Sequence, residues 1–227
     1  MINGEYKEYK KVLSAVAIVF FANTWIICRE FTQDELNRIF TRHCAGLKNV
    51  DVIQQPLIIT FSGTPGMGKS FIAKKLEDVY CAVRISTDEL RPLFDEMGAT
   101  TIKEHDYALQ QYLLYFFAHF KMPNKRFILD ASIDRKYTQL FFFCKKHTIN
   151  LIVIRLDVPR DIITKRLYDR EGDKVTWYLK HLDAMFLDYH KFAESYKDYI
   201  LFTNIDGASL IPLFQEIDKK IACFDKA

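Results

Sequence analysis

The chain has 227 residues, enough for one α/β domain with an extension. It is 49% hydrophobic and 27% charged, which excludes wholesale disorder, and its 8 Gly and 6 Pro exclude collagen-like and Pro-rich low-complexity chains. A net charge of +3, from 32 basic and 29 acidic residues, is too balanced to mark a nucleic-acid coat. Cys28, Cys44, Cys81, Cys144 and Cys223 form no C-x-x-C pair and no zinc spacing, so the expectation is reduced, buried thiols. The six histidines also lack metal-ligand spacing and read as structural or surface residues.

Residues 12–28 (VLSAVAIVFFANTWIIC) are uncharged, and 14 of the 17 are apolar. A membrane span needs about 20 apolar residues, with roughly 17 the lower limit. Two readings are open: a short single-span anchor, or an element buried against the domain. Basic residues flank both ends (Lys7, Lys10 and Lys11 before, Arg29 after), so charge bias does not fix an orientation. Residues 32–46 follow as a helix. Thr32 and Glu35 make a capping box, Leu36, Ile39, Phe40 and Cys44 line one face, and Gly46 can end it. Residues 47–55 are a polar connection, and Pro56 marks a boundary. The domains expected are an extension over 1–55 and a second domain over 56–227.

From residue 57 short apolar runs alternate with helical patterns. Strands are expected at 57–62, 81–86, 126–130, 150–156 and 199–203. Helices are expected at 69–79, 88–97, 101–121, 134–147, 159–170, 174–198 and 207–221. Apolar strands separated by helices read as a parallel sheet covered on both faces, which binds ligands at the carboxyl ends of its strands.

Directly after the first strand stands Gly63-Thr64-Pro65-Gly66-Met67-Gly68-Lys69-Ser70, a full G-x-x-x-x-G-K-S, followed by Phe71. Glycines let such a backbone turn its N–H groups inward onto phosphate oxygens, and the next helix adds its positive end. In that pattern Lys69 reaches the β- and γ-phosphates and the Ser70 hydroxyl binds Mg²⁺. By average composition the pattern arises by chance in roughly one chain in a hundred of this length.

After the second strand comes Ser86-Thr87-Asp88-Glu89-Leu90-Arg91. Ser86 and Glu89 can cap a helix, with Asp88 favoured by the helix dipole. The alternative is that Asp88 takes a proton from an acceptor hydroxyl. Asp130 closes the third strand, where an aspartate serves the Mg²⁺ side of phosphate-loop enzymes or simply caps the strand. Arg135 can hold an acidic substrate or lie on a solvated helix. Pro159 suits a first helical turn. Arg166 and Arg170, four apart, share a face and can stabilise charge on a moving phosphoryl group, or they belong to a surface ion-pair set with Asp161 and Lys165. Glu171-Gly172-Asp173 reads as a flexible lid. Val175, Tyr178, Leu182, Met185, Tyr189, Phe192 and Tyr196 form a packing stripe or a dimer seam.

GTPGMGKS, ISTDELR, FILDAS and LDVPRDIITKRLYDR, in this order, resemble the small P-loop kinases: the zeta-toxin-like, polynucleotide-kinase-like and 2-phosphoglycerate-kinase-like proteins. The resemblance covers about 56–205. It implies a three-layer α/β P-loop NTPase fold with a parallel five-stranded sheet in 2-3-1-4-5 order, ATP as donor and Mg²⁺ as cofactor. It implies that Gly63 to Phe71 bind nucleotide, that Ser70 and Asp130 serve the metal, and that Asp88 is the hydroxyl-activating aspartate. Arg166 and Arg170 match lid arginines, and Asp88, Arg91 and Arg135 fall on the acceptor side. The implied activity is transfer of a γ-phosphoryl group to a hydroxyl-bearing acceptor, in the cytoplasm. A small metabolite or nucleotide sugar fits better than a nucleic-acid 5′ end, because no basic stripe is visible. The rival class is a nucleotide-dependent switch or ATPase without an acceptor, membrane-tethered if 12–28 spans.

Overall fold

The computed structural model describes residues 30–45, 56–119, 126–135, 137–197, 200–202 and 210–224. The apolar segment 12–28, the connection 47–55 and Gly46 lie outside the described residues. In chain order the elements are α1 (Gln33–Cys44), β1 (Leu57–Ser62), α2 (Lys69–Tyr80), β2 (Val83–Ser86), α3 (Thr87–Glu96), α4 (Ile102–His119), β3 (Arg126–Ser132), α5 (Tyr137–Lys146), β4 (Asn150–Arg155), α6 (Arg160–Glu171), α7 (Val175–Ser195), β5 (Ile200–Phe202) and α8 (Ile211–Phe224). A 3₁₀ turn, Gly172–Lys174, joins α6 to α7.

The chain divides into two compact units, Met1–Gly46 with Glu89–Met122, and Leu47–Asp88 with Pro123–Ala227. In the first, α1 opens on the expected capping box. Thr32 accepts from the Glu35 N–H, and Glu35 accepts from the Thr32 N–H. Ala45 is the C-cap and returns its N–H to the Thr41 carbonyl. Leu36 and Ile39 are buried, with Phe94, Tyr112 and Phe116 supplying an aromatic core. His43 sits 2.5 Å from the Tyr112 hydroxyl and packs on Phe116. His105 lies 2.5 Å from an Asp95 carboxylate oxygen. His43 serves packing and a local polar contact, and His105 serves local polar contacts.

The second unit holds the sheet, and all its strand pairs are parallel. β1 is central, between β3 and β4, and every one of its residues is buried. This accounts for the unbroken LIITF run. β2 lies outside β3, and β5 enters beside β4 as three residues across a register shift. Met67, Ile72, Leu76, Ile163, Leu167, Leu182 and Tyr189 pack with the β1 and β4 side chains in one core.

Several boundaries differ from expectation, each for a local reason. β2 begins at Val83 because Cys81 closes α2 in a left-handed conformation, φ 45°. Pro159 is the N-cap of α6 in an extended conformation, one residue before the helix. α5 begins at Tyr137, because Asp134 is spent in a turn, where it accepts from the Gly63 N–H and the Ser132 hydroxyl. Glu171-Gly172-Asp173 does not form an open lid loop; it is taken up by the end of α6 and the 3₁₀ turn.

The α7 stripe is consumed by packing within the chain. Val175, Leu182, Tyr189 and Phe192 are buried, and Tyr196 stacks on Phe192. The Tyr189 hydroxyl donates to the Leu156 carbonyl at 2.9 Å and accepts from Arg155 Nε at 2.7 Å, tying α7 to the end of β4. Cys144 is buried, but Cys81 and Cys223 are exposed, which corrects the expectation of uniformly buried thiols. Among the described residues no helix is long and apolar enough to cross a membrane.

Candidate active site

The turn between β1 and α2 has the shape its glycines demand. Gly66 has φ 87° and Gly68 has φ 93°, conformations that residues with a side chain rarely adopt. A Cβ on Gly66 would press within 3.1 Å of Ile163 Cγ2 and 3.2 Å of its carbonyl oxygen, so only glycine lets α6 approach the loop. A Cβ on Gly68 would meet nothing within 4 Å, so the loop faces open space there. The Met67 side chain is spent inward. It is 1% exposed, and its sulfur accepts from the Thr64 N–H at 3.2 Å.

Lys69, the first residue of α2, folds back over this turn. Its ammonium donates to the carbonyls of Gly63, at 2.9 Å, and Thr64, at 2.8 Å. Burial pulls its pKa down to about 8, opposed by the carboxylates of Asp134, Asp130 and Asp88 and reinforced by the Arg170 charge. Asp88 itself is exposed, in the first turn of α3.

Asp130 is almost fully enclosed, its side chain 2% exposed. Its two oxygens are engaged differently: Oδ1 accepts from Ser70 Oγ at 3.0 Å and Oδ2 from Arg84 Nη1 at 2.9 Å. β3 continues past it to Ser132, and the β1–β3 register slips there. Thr60 pairs with Leu129, while Phe61 pairs with Ser132. On its other side β3 pairs with β2 in unbroken register, which sets Asp130 beside Ser86 at the carboxyl ends of the strands. Burial raises the Asp130 pKa, against the Ser70 hydrogen bond and the Arg84 charge.

Asp134 is a second buried carboxylate at the loop. It accepts from the Gly63 N–H at 3.1 Å and from Ser132 Oγ at 2.9 Å. Its Oδ1 and the Ser62 hydroxyl oxygen are buried with no hydrogen-bond partner among the described residues. Burial raises its pKa, opposed by the nearby Ser62 and Ser132 hydroxyls and the Gly63 amide.

The structure therefore gathers Gly63, Thr64, Lys69, Ser70 and Asp130 around one turn, with Arg166 of α6 at its side, while Asp88 lies just beyond the end of β2. Arg166 reaches the Gly66 carbonyl at 3.4 Å. Arg170 bonds Glu171 at 2.5 Å and lies 5.8 Å from the centre of the Tyr178 ring. The remaining expected residues are less involved. Pro65 lies half-buried in the turn, and the Phe71 ring is 61% exposed beneath Lys75. Arg91 and Arg135 are exposed, on α3 and in the turn after β3. On the surface of α6, Arg160 pairs with Asp183 at 2.6 Å.

Sequence reasoning missed Arg84 and Asp134. Arg84 is visible in the sequence as a lone cation inside the four-residue strand VRIS; Asp134 looks like any helix-start aspartate.

The donor set suits Mg²⁺ bound in the manner of nucleotide enzymes. Such ions take one or two protein oxygens and complete their shell with water and phosphate. Ser70 and Asp130 offer those oxygens, and among the described residues no cluster of three or more His, Cys, Asp or Glu gathers elsewhere.

No family model matches the chain, and no curated protein matches it in sequence. Solved structures do resemble it. One, from a study of the PezAT chromosomal toxin–antitoxin system of Streptococcus pneumoniae, has a TM-score of 0.53 at 15% identity and covers 78% of each chain. Another, the crystal structure of APE1195, has a TM-score of 0.49 at 17% identity and covers 76% of this chain and 98% of that one. At this identity the first likeness speaks for the fold alone, and the chain is an α/β protein built on a parallel sheet.

Proposed function

We propose that the chain is an ATP- and Mg²⁺-dependent phosphotransferase that moves the γ-phosphoryl group of ATP to a hydroxyl of a small metabolite or nucleotide-type acceptor. The observation that carries this reading is the Lys69 ammonium over the Gly63 and Thr64 carbonyls beside the Ser70–Asp130 pair. A cation held by two carbonyls is poised to exchange them for phosphate oxygens, which bind it more strongly. The amides of the loop and the first turn of α2 add partial positive charge at the same place.

Bound Mg²⁺ would supply charge neutralisation across the transferring phosphates. Ser70 and Asp130 are the residues that would hold it. Asp88 stands just past the carboxyl end of β2, two residues after Ser86, which pairs with Asp130, and in this reading it accepts the acceptor's proton. Arg166 and Arg170 offset negative charge from the α6 side. The work is positioning and charge, which suits phosphoryl transfer. The fold likeness supports the class; the acceptor is chosen by this chain's own residues.

The rival reading is a nucleotide-dependent switch or ATPase without an acceptor. The two separate in one experiment. The protein is incubated with γ-labelled ATP and pools of metabolites and oligonucleotides. Label in an organic acceptor that vanishes in Asp88→Asn supports the phosphotransferase; label found only as inorganic phosphate favours the switch.

A further inference from the structure

We infer that Arg84 is a positioning residue for the metal-side carboxylate: its guanidinium holds Asp130 by Oδ2, so that Oδ1 stays turned toward Ser70. This rests on the reading of Ser70 and Asp130 as the Mg²⁺ side of the site. Arg84 projects from β2 with a side chain only 10% exposed. It pairs through Nη1 with Asp130 at 2.9 Å and through Nε with Glu77 of α2 at 3.1 Å. One guanidinium thus joins β3, which carries Asp130, to α2, which carries Lys69 and Ser70.

The geometry gives this link a task beyond stability. The terminal torsion of an aspartate is broad and nearly two-fold, so a carboxylate without a partner on one oxygen has no reason to keep the other in place. Arg84 removes that freedom. Glu77 in turn fixes the guanidinium, because a planar fork with both edges engaged cannot swing. Glu77 and Ser70 are both on α2, so the helix that presents the hydroxyl also fixes the arginine that aims the carboxylate. A lysine at position 84 keeps the charge near Asp130 but has no fork to span both carboxylates.

The test separates aim from stability. Arg84→Lys and Glu77→Gln are compared with wild type in cooperative thermal melts, in ATP affinity with chelator, and in the Mg²⁺ concentration that gives half of the full Mg²⁺ effect on ATP affinity. Outer-sphere partners of metal ligands typically change metal affinity by about 10- to 100-fold. The expected result is a Mg²⁺ midpoint raised about tenfold in Arg84→Lys and several-fold in Glu77→Gln, with chelator affinity within about twofold of wild type. Midpoints equal to wild type in both variants would overturn the inference and leave Arg84 a structural salt bridge. Should Arg84→Lys fail to melt cooperatively, the Glu77→Gln midpoint decides alone: a rise supports the inference and no change overturns it. Wild type that binds ATP without any Mg²⁺ effect removes the metal-side reading itself and the inference with it.

Discussion

The burial of Lys69 makes a pH prediction that can be worked through. In the free protein its pKa is held at about 8, mainly by desolvation. Phosphate oxygens favour the charged ammonium, so nucleotide binding raises that pKa and is coupled to proton uptake once the free ammonium begins to deprotonate. The sign follows: the contribution of Lys69 to affinity is complete below pH 8 and is lost as pH rises through and above it. Each pH unit beyond the free-state pKa weakens binding by about 1.4 kcal/mol, or about tenfold, until the bound-state pKa is reached. Between pH 7.5 and 9.5 the Kd for ATP should therefore rise by about 30-fold. Calorimetric titrations at pH 9, in two buffers of different ionisation enthalpy, should show uptake approaching one proton per ATP. Lys69→Arg provides the control, because a guanidinium keeps its charge throughout this range. Whatever affinity that variant retains should lose most of the pH dependence. A wild-type Kd that stays flat from pH 7.5 to 9.5, with no proton uptake, would refute the reasoning.

Other consequences are quick to check. Asp88→Asn should bind ATP within about threefold of wild type while phosphoryl transfer falls by about 100-fold or more, read from initial rates. Unchanged turnover would leave Asp88 as a helix-start residue only. Gly66→Ala combines φ 87° with a Cβ 3.1 Å from Ile163 Cγ2, and should lose about 1–3 kcal/mol in urea unfolding as well as nucleotide affinity. Wild-type stability would mean that the α6 contact yields freely. Tyr189→Phe removes a hydroxyl that serves both the Leu156 carbonyl and Arg155, and should lower unfolding stability by about 1–2 kcal/mol. A change below the error of the urea midpoint would count against the α7–β4 tie.

Much of the architecture was legible because its signals are local. LIITFS is a fully buried strand written as an unbroken apolar run, and the capping box at Thr32 and Glu35 formed as read. The phosphate-loop pattern specifies its own backbone, since glycines stand where left-handed angles are needed. The misreadings arose where a side chain serves a distant partner. Asp134 reads as the start of a helix, but its carboxylate is occupied by an amide of the loop, so α5 starts later. Cys81 reads as the start of a strand, yet α2 takes it as a left-handed cap. Arg84 stands out in the sequence only as a cation within an apolar strand; its partners, Glu77 and Asp130, seven and 46 positions away, are not legible there. Only the pairing of β2 with β3 brings it to Asp130. The role of 12–28 belongs to the part of the chain outside the described residues.

The central claim is that the turn from Gly63 to Ser70 grips a nucleoside triphosphate through Lys69. Equilibrium dialysis of the folded full-length chain against labelled ATP and Mg²⁺ at pH 7.5 tests it directly. The account predicts saturable binding of one ATP per chain and its loss in a folded Lys69→Met variant. Wild-type protein that retains no ATP, or a Lys69→Met variant that retains as much as wild type, would contradict it.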